Sequence, residues 1–368
     1  MSRGFFLKKL LVYCYFCPDV PHRAGGVQQI VGPLLRKLTE SKEWTVSVVH
    51  TGSCHSTSVH FRFPEASEIE QPDAVNPEIL VEGARRMIAL AGGYDVVLSI
   101  DRLLPCPLPK PCVLMSNTLG YQTEAIAVQA NQWARIVVPT NSLAESVRAV
   151  NPAARVQVVP YGLPDKVLQE ARSAPPVVWG DDPSIVRLQH RPDRRKGHLE
   201  AVEGLARALP DSGHVRLEIS WLDEARYSNY QREIECLAHQ LGVASQVSFC
   251  GWLNEGKRWQ ALAESCAVLQ VGRFEESFGL SIIESILFGR PAVTRYQPAI
   301  REIVGATDLL IEVADPLKWY RALSAYWSRR TQPDSEKQNL LIQSLSLERM
   351  VARYDRTLTE AIQLYWGK

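Results

Sequence analysis

Long apolar runs are missing from this sequence of 368 residues. A helix needs about 18 to 20 consecutive apolar residues to cross a bilayer, and no stretch of that length occurs. The apolar opening of the chain is interrupted by Lys8 and Lys9 and leads to no small-residue cleavage site, which favours a first strand over a signal peptide. We therefore expect no transmembrane segment.

The sequence also lacks an excess of one charge sign. Its 41 basic side chains stand against 40 acidic ones, which gives a formal net charge of +1. Nucleic-acid binders rely on a strongly basic surface, so this balance argues against a nucleic acid as partner. A local group of cations can still hold phosphate, and we expect any bound anion to be small.

Cysteine is sparse, with eight residues scattered along the chain. Their number and spacing exclude a disulfide scaffold and a structural zinc site. Cys14 and Cys17 form a C-x-x-C pair inside an apolar, aromatic run that predicts a strand, whereas thioredoxin-type chemistry places this motif at a helix start. We interpret both as packing residues and expect a reducing, cytoplasmic compartment.

What the sequence does contain is an alternation of strand-like and helix-like segments that occurs twice. With 46% hydrophobic and 22% charged residues, the chain can form two domains with separate cores. Apolar runs between segments of helical period predict α/β units around parallel sheets. The strand-like runs are residues 10–16, 45–50, 94–100, 111–116, 134–140 and 155–161, then 184–189, 214–221, 246–251, 266–272, 290–295 and 307–313.

A stretch rich in Pro, Ala and Ser, over residues 163–184, separates the two halves. The pattern predicts a doubly wound, Rossmann-like domain over residues 1–163 and another over 164–345. The two domains are expected to face each other with the carboxyl edges of their sheets at a shared crevice. By pattern, the amphipathic segment over 346–368 belongs to neither set.

Two turns between a strand and a helix are suited to an anion. Gly25 and Gly26 precede a predicted helix whose amides and positive end attract anions, although a plain tight turn explains them equally well. Arg191 and Lys196 pair a bidentate fork with a point charge, which fits a diphosphate. The alternative there is a solvated basic loop whose surplus charge Asp193 balances. Neither a G-x-G-x-x-G nor a G-x-x-x-x-G-K-S/T motif occurs.

Glu276 and Glu284 form the most informative pair. Eight residues turn a helix by about 800°, so the two do not share one helix face. If the helix begins near Phe278 or Gly279, the two carboxylates flank helix amides that can hold a phosphate. The alternative is that Glu275 and Glu276 favour the helix dipole and that Glu284 is exposed. The apolar residues around Glu284 instead favour a buried carboxylate with a partner.

Taken together, these motifs resemble a GT-B nucleotide-sugar glycosyltransferase of the retaining family 4 type over almost the full length. The family's E-x7-E corresponds to Glu276 and Glu284, its R-x4–5-K-G phosphate pair to Arg191 and Lys196, and its glycine loop to residues 25–28. Weaker correspondences lie at residues 137–142, 158–163, 247–253, 288–293 and 301–304. The resemblance implies a GT-B fold whose last segment, 346–368, is a helix returning to the first domain.

The resemblance also implies an activity. It implies a retaining, metal-independent transfer of a hexose-type sugar from a nucleoside-diphosphate sugar to a hydroxyl acceptor, with no cofactor. The resemblance further implies that the first domain binds the acceptor and the second binds the donor. By carry-over, Arg191 and Lys196 neutralise the diphosphate leaving group. Glu276 binds the sugar hydroxyls, and Glu284 binds the ribose hydroxyls.

Further donor contacts are carried over to backbone groups. The amides of Phe278, Gly279 and Leu280 are expected to meet the sugar and phosphate. Gly26 is expected to close over the phosphate from the first domain, and Leu253 is expected to contact the nucleobase.

Asn117 marks a departure from the family pattern. Family members often carry a donor-facing histidine after an N-domain strand, but here no histidine occurs between His60 and His190. We interpret Asn117 as a substitute sugar contact, with a structural loop asparagine as the alternative. The missing histidine also leaves open a catalytically silent nucleotide-sugar-binding subunit, and a GT-B-like sugar epimerase is a third alternative. The acceptor is expected to be a small molecule or a glycan; no pattern in residues 51–76 or 118–131 selects one.

Overall fold

The structure of the chain is a computed structural model. It describes residues 7–14, 26–50, 60–62, 85, 87–104, 106–176, 179, 184–190, 192–220, 227–251, 253, 255–329 and 335–367. The chain divides into two compact units. The first unit comprises Met1–Pro164 with Leu345–Lys368, and the second comprises Asp165–Ser344.

The first unit is built on a seven-stranded sheet with strand order β3-β2-β1-β4-β5-β6-β7. Its strands are β1 (Lys8–Cys14), β2 (Trp44–His50), β3 (His60–Arg62), β4 (Val96–Ile100), β5 (Cys112–Met115), β6 (Arg135–Val138) and β7 (Val156–Val158). The helices with defined bounds are Gly26–Glu40, Gln122–Gln129, Asn141–Val150 and Leu347–Trp366. All strand pairs are parallel, and the order reverses between β1 and β4, so the sheet is doubly wound.

The long C-terminal helix Leu347–Trp366 packs on the first unit's own elements. It contacts the helix Gly26–Glu40 and the strands β4 and β5, and its apolar stripe, which includes Tyr354 and Leu358, is buried. Its Asp355 carboxylate accepts hydrogen bonds from the Lys8 ammonium at 2.9 Å and from the Trp44 indole at 2.7 Å. The two chain segments of this unit are joined by a backbone hydrogen bond of 2.7 Å, which the Leu163 amide donates to the Leu345 carbonyl.

The second unit contains a six-stranded sheet with order β10-β9-β8-β11-β12-β13. Its strands are β8 (Ser184–Leu188), β9 (Val215–Ser220), β10 (Val247–Gly251), β11 (Ala267–Gln270), β12 (Ala292–Thr294) and β13 (Leu310–Glu312). The helices are Asp165–Arg172, His198–Ala206, Ser228–Gln240, Glu255–Glu264, Leu280–Leu287, Pro298–Val304, Trp319–Ser328 and Ser335–Ser344. The core joins strand residues such as Val186 and Leu217 to the fully buried Trp319, whose indole donates to the Ala201 carbonyl at 3.0 Å.

The two parallel sheets confirm the predicted doubly wound α/β architecture. Every strand-like run of the sequence corresponds to one of these strands, and only the three-residue β3 has no counterpart among the predictions. The helix Asp165–Arg172 lies inside the stretch interpreted as a linker: it is only eight residues long, but Val167, Leu168 and Ala171 bury an apolar face. Within the described part of the chain, no helix combines the length and the apolar character that crossing a membrane requires.

Candidate functional site

The candidate site lies where the strand order of the second sheet reverses. From the centre of the sheet, strands β8 to β10 follow one another toward one edge and strands β11 to β13 toward the other edge. The central strands β8 and β11 are therefore neighbours at the switch point. Open α/β sheets bind ligands outside the carboxyl ends of the strands at such a point. Lys196 follows β8 through the short Arg194–Lys196 turn, and Glu276 follows β11. The topology therefore brings both predicted residues to the same edge.

Two glycines let the backbones after β8 and β11 touch. Gly197 has a φ of +94°, and a Cβ on Gly272 would overlap the carbonyl of Arg195. The contact is stabilised by a hydrogen bond of 2.9 Å from the Phe274 amide to the Arg195 carbonyl and by one of 3.3 Å from the Gly272 amide to the Lys196 carbonyl. The loops that carry Lys196 and Glu276 are thus held as one piece.

Lys196 and Glu276 form a direct ion pair. The Lys196 ammonium donates to Glu276 Oε1, and the two side chains are only 11% and 13% exposed. The same ammonium lies 3.8 Å from the centre of the Phe274 ring, which adds a cation–π contact. Charges so shielded from solvent interact more strongly than an exposed pair. The structure therefore places the cation of Lys196 directly beside the carboxylate of Glu276.

Buried amide side chains surround the Glu276 loop. Gln270, the last residue of β11, donates from Nε2 to the same Oε1 of Glu276. Gln297 accepts from the Glu276 backbone amide at 3.1 Å and donates to the Phe274 carbonyl at 2.9 Å. Neither glutamine was predicted. Their one sequence signal is polarity in apolar surroundings: Gln270 ends a strand of otherwise apolar residues.

The helix Leu280–Leu287, which we call the site helix, begins directly after this loop. Gly279 is its N-cap with a φ of +80°, and its carbonyl accepts from the amides of Ile282 and Ile283 at 3.0 Å. The first amides of a helix have no intrahelical partner, and the helix dipole makes this end positive. The structure therefore shows the arrangement considered from the sequence, in which the helix begins next to Gly279 and Glu276 lies in the loop ahead of it.

Glu284 lies in the second turn of the site helix with a partner of its own. Its carboxylate accepts from Arg258 Nη2 at 2.9 Å, and the side chain is 3% exposed. Burial raises the pKa of Glu284, while the charge and hydrogen bond of Arg258 lower it. The Arg258 guanidinium lies 3.9 Å from the centre of the Trp259 ring. The alternative of an exposed Glu284 is therefore wrong, and Arg258 is the partner that a buried carboxylate requires.

The other predicted residues have different positions. Arg191 and Gly25 lie outside the described residues. Gly26 is the exposed first residue of the helix Gly26–Glu40 in the first unit. Leu253 is half-buried and lies between β10 and the helix Glu255–Glu264. Asp193 accepts hydrogen bonds from the backbone and guanidinium of Arg195, so it does balance a neighbouring cation.

Asn117 lies in a buried hydrogen-bond network in the first unit. Its backbone amide and its Nδ2 each donate to the Asp101 carboxylate at 2.7 Å, and its Oδ1 accepts from the Tyr161 hydroxyl. Asp101 follows β4 and Asn117 follows β5, so neighbouring strand ends bring them together. This network favours the structural alternative for Asn117, and its contact with a donor sugar stays a prediction.

The burial of Asp101 predicts that the stability of the protein depends on pH. Burial raises the pKa of Asp101 to about 7, although the hydrogen bonds from Asn117 lower it. Between about pH 4 and pH 7 the folded state therefore binds this proton more tightly than the unfolded chain, and the free energy of unfolding should fall as the pH rises, by at most about 1.4 kcal/mol per pH unit. Thermal unfolding of the wild type and of Asp101→Asn between pH 4 and pH 8 checks this. The variant should lack the decline, and identical pH dependence in both proteins would contradict it.

Metal-ligating side chains are not grouped in the described part of the chain: no three His, Cys, Asp or Glu residues there are arranged to hold an ion. No two of the six described cysteines form a disulfide, and Cys14 is buried at the end of β1. Cys17, the other half of the C-x-x-C pair, lies outside the described residues.

Comparisons with known proteins identify the fold. Sucrose-phosphate synthase from Thermosynechococcus elongatus has a TM-score of 0.74 at 18% identity, over 98% of this chain and 100% of that one. HepE from Anabaena in complex with UDP-glucose has a TM-score of 0.71 at 14% identity, over 96% and 99%. WaaG, a glycosyltransferase involved in lipopolysaccharide biosynthesis, has a TM-score of 0.65 at 17% identity, over 98% and 100%.

The sequence comparisons are more limited. No curated protein matches the chain in sequence. Residues 187–329, which include Lys196, Glu276 and Glu284, match the family model of glycosyl transferases group 1. With the fold, this match confirms the predicted glycosyltransferase class of enzyme. The second unit thus contains a glycosyl transferases group 1 domain, in a chain that has the GT-B fold.

Proposed function

We propose that the protein is a retaining glycosyltransferase of the family 4 type, which transfers a sugar from a nucleoside-diphosphate sugar to a hydroxyl acceptor. The observation that carries this proposal is the contact between Lys196 and Glu276 at the switch point of the second sheet, directly ahead of the site helix. A cation, a carboxylate and a helix N-terminus in one place match the chemistry of a sugar linked to a diphosphate.

The leaving diphosphate needs the strongest stabilisation. When the bond from the anomeric carbon to the diphosphate breaks and the bond to the acceptor oxygen forms, negative charge grows on the diphosphate and one proton is released. Lys196 and the amides of Phe278, Gly279 and Leu280 are the groups proposed to meet that charge, with Arg191 as a second cation. Groups fixed before the reaction stabilise such charge without reorganisation. We therefore propose a metal-independent reaction that needs no cofactor.

The two carboxylates and the first unit complete the proposed site. Glu276 would accept hydrogen bonds from the sugar hydroxyls and Glu284 from the ribose hydroxyls, while Leu253 would contact the nucleobase. We propose that the first unit binds the acceptor, a small molecule or a glycan, and that its Gly26 and Asn117 reach the donor. We also propose a reducing, cytoplasmic compartment, on the ground that the cysteines of the sequence are few and scattered.

A uridine nucleotide is the first donor to test. HepE, which shares the fold, has been solved with UDP-glucose. We expect the purified protein to release UDP or another nucleoside diphosphate from one member of a panel of nucleotide sugars when hydroxyl acceptors are supplied. The rate should be unchanged by EDTA, and NMR of the product should show the anomeric configuration of the donor.

The alternatives give different results in the same assay. A silent binding subunit would bind a donor without releasing a diphosphate in the presence of any acceptor. An epimerase would convert the donor without an acceptor. An inverted product or a requirement for a divalent metal would contradict the proposed mechanism while leaving the transfer itself in place.

A further inference from the structure

Gln270 is a buried polar side chain at the end of an apolar strand. It follows Ala267, Val268 and Leu269 in β11, and it is 2% exposed. Burying a primary amide costs free energy unless hydrogen bonds replace those it made to water. Its partners therefore show what the side chain does at this position.

Both ends of the Gln270 amide are bonded. Its Nε2 donates to Glu276 Oε1, and its Oε1 accepts from the Ser281 hydroxyl at 3.0 Å. The orientation follows from chemistry, because an ionised carboxylate only accepts hydrogen bonds and the NH2 end of the amide must face it. Ser281 is the second residue of the site helix, so Gln270 ties the Glu276 carboxylate to the start of that helix.

Lys196 and Gln270 donate to the same oxygen of Glu276. Both hydrogen bonds end on Oε1, and no described residue hydrogen-bonds Oε2. A carboxylate held by one oxygen presents the other in a defined direction. Oε2 is therefore the atom of Glu276 that can accept from a ligand hydroxyl.

The two donors differ in what a bound diphosphate would do to them. The Lys196 ammonium is charged and has three N–H donors, so a diphosphate would compete with Glu276 for it. The Gln270 amide is neutral, is buried and is fixed from its other end by Ser281. Its hydrogen bond to Glu276 should therefore persist when a diphosphate binds.

We propose that Gln270 is a positioning residue that holds Glu276 Oε1 by a hydrogen bond. Oε2 then keeps its direction toward the donor sugar while Lys196 binds the diphosphate. This inference rests on the proposed function and adds to it a residue that acts through Glu276. Gln270 should therefore matter for the sugar part of the donor and not for the nucleotide part.

The test compares Gln270→Met, which keeps the length of the side chain and removes both hydrogen bonds, with Gln270→Glu. We expect Gln270→Met to lower kcat/KM for the nucleotide sugar by about 10-fold to 100-fold, as for the loss of a hydrogen bond to a charged group. Its Kd for the free nucleoside diphosphate, measured by calorimetry with UDP first, should stay within about 2-fold of the wild type, because no contact to the nucleotide is lost.

The pH profile separates positioning from a merely structural role. In Gln270→Glu the protonated carboxyl can donate to Glu276 as the amide does, while the ionised form repels it. The activity of Gln270→Glu relative to the wild type should therefore rise as the pH falls from 8 to about 5, whereas that of Gln270→Met should stay low throughout. Ser281→Ala, which removes the hydroxyl that orients the amide, should cause a smaller loss of the same kind and serves if the Gln270 variants do not fold.

The outcomes are distinguishable from failure of the proposed function. A wild-type protein that turns over no nucleotide sugar overturns the proposed function and the role of Gln270 with it. An active wild type together with a Gln270→Met variant of equal kcat/KM overturns the role of Gln270 alone. Parallel losses of nucleoside-diphosphate affinity and activity, with the same pH profile in both variants, would assign Gln270 to packing and would also overturn the proposal.

Discussion

Replacing Lys196 with methionine is expected to lower kcat by about 100-fold to 1,000-fold, the loss found when one fixed donor to a developing charge is removed. The site would lose one of the two cations proposed for the leaving diphosphate and keep the Glu276 carboxylate in its place. Repulsion between this carboxylate and the diphosphate should add to the loss and weaken the binding of the nucleoside diphosphate. Steady-state kinetics and calorimetry with the same donor measure both effects.

Lys318→Met is the matched control for this variant. Lys318 lies in the same unit, is 69% exposed at its side chain and forms a surface ion pair with Asp315 at 3.7 Å. Its replacement removes the same formal charge and should leave kcat within about 2-fold, because exposed pairs contribute little. Equal activity losses in the two variants would show that net charge, and not the position of Lys196, matters for catalysis.

Replacing Arg258 with methionine is expected to have the largest effect on stability. The variant leaves Glu284 buried without its cation, and breaking a buried pair in this way costs about 3–5 kcal/mol. Removing Arg258 also raises the already elevated pKa of Glu284 further. Because the folded state then holds the Glu284 proton more tightly than the unfolded chain, the variant should lose stability, relative to the wild type, as the pH rises.

Nucleotide binding should show the opposite pH trend in this variant. An ionised Glu284 accepts hydrogen bonds from ribose hydroxyls, so nucleoside-diphosphate affinity in Arg258→Met should fall as the pH decreases, at pH values where the wild type still binds. The double variant Arg258→Met, Glu284→Gln removes the unpaired charge. It should regain stability without regaining affinity, and thermal unfolding with calorimetry across pH measures both. Affinity that does not depend on pH in Arg258→Met would contradict the assigned role of Glu284.

The sequence was sufficient to predict the parts of the site that follow from local pattern and topology. Apolar runs between helical segments predict two parallel sheets, and the carboxyl ends of neighbouring strands bring Lys196 and Glu276 together. The spacing of Glu276 and Glu284 excluded one shared helix face, and a helix start near Phe278 or Gly279 was the arrangement considered in its place; the site helix begins at Leu280. These features depend on residues close in sequence or on the general rules of doubly wound sheets.

The hydrogen-bond and ion-pair partners of the predicted residues could not be predicted from the sequence. Arg258 and Glu284 are 26 residues apart, and only the packing of two helices makes them a pair. The side chain of Asn117 has the chemistry of a sugar contact. Its amide group is instead hydrogen-bonded to Asp101, at the neighbouring strand end, and to Tyr161. Gln270 is a polar residue at the end of an apolar strand. That pattern predicts a buried polar group but does not identify its hydrogen-bond partner.

The most direct measurement is a crystal structure of the protein with a nucleoside-diphosphate sugar bound. The account predicts diphosphate oxygens about 2.7–3.2 Å from Lys196 Nζ and from at least one amide of Phe278, Gly279 or Leu280, with Glu276 Oε2 on a sugar hydroxyl. A diphosphate bound away from Lys196 and the start of the site helix, while the protein transfers the sugar, would contradict it.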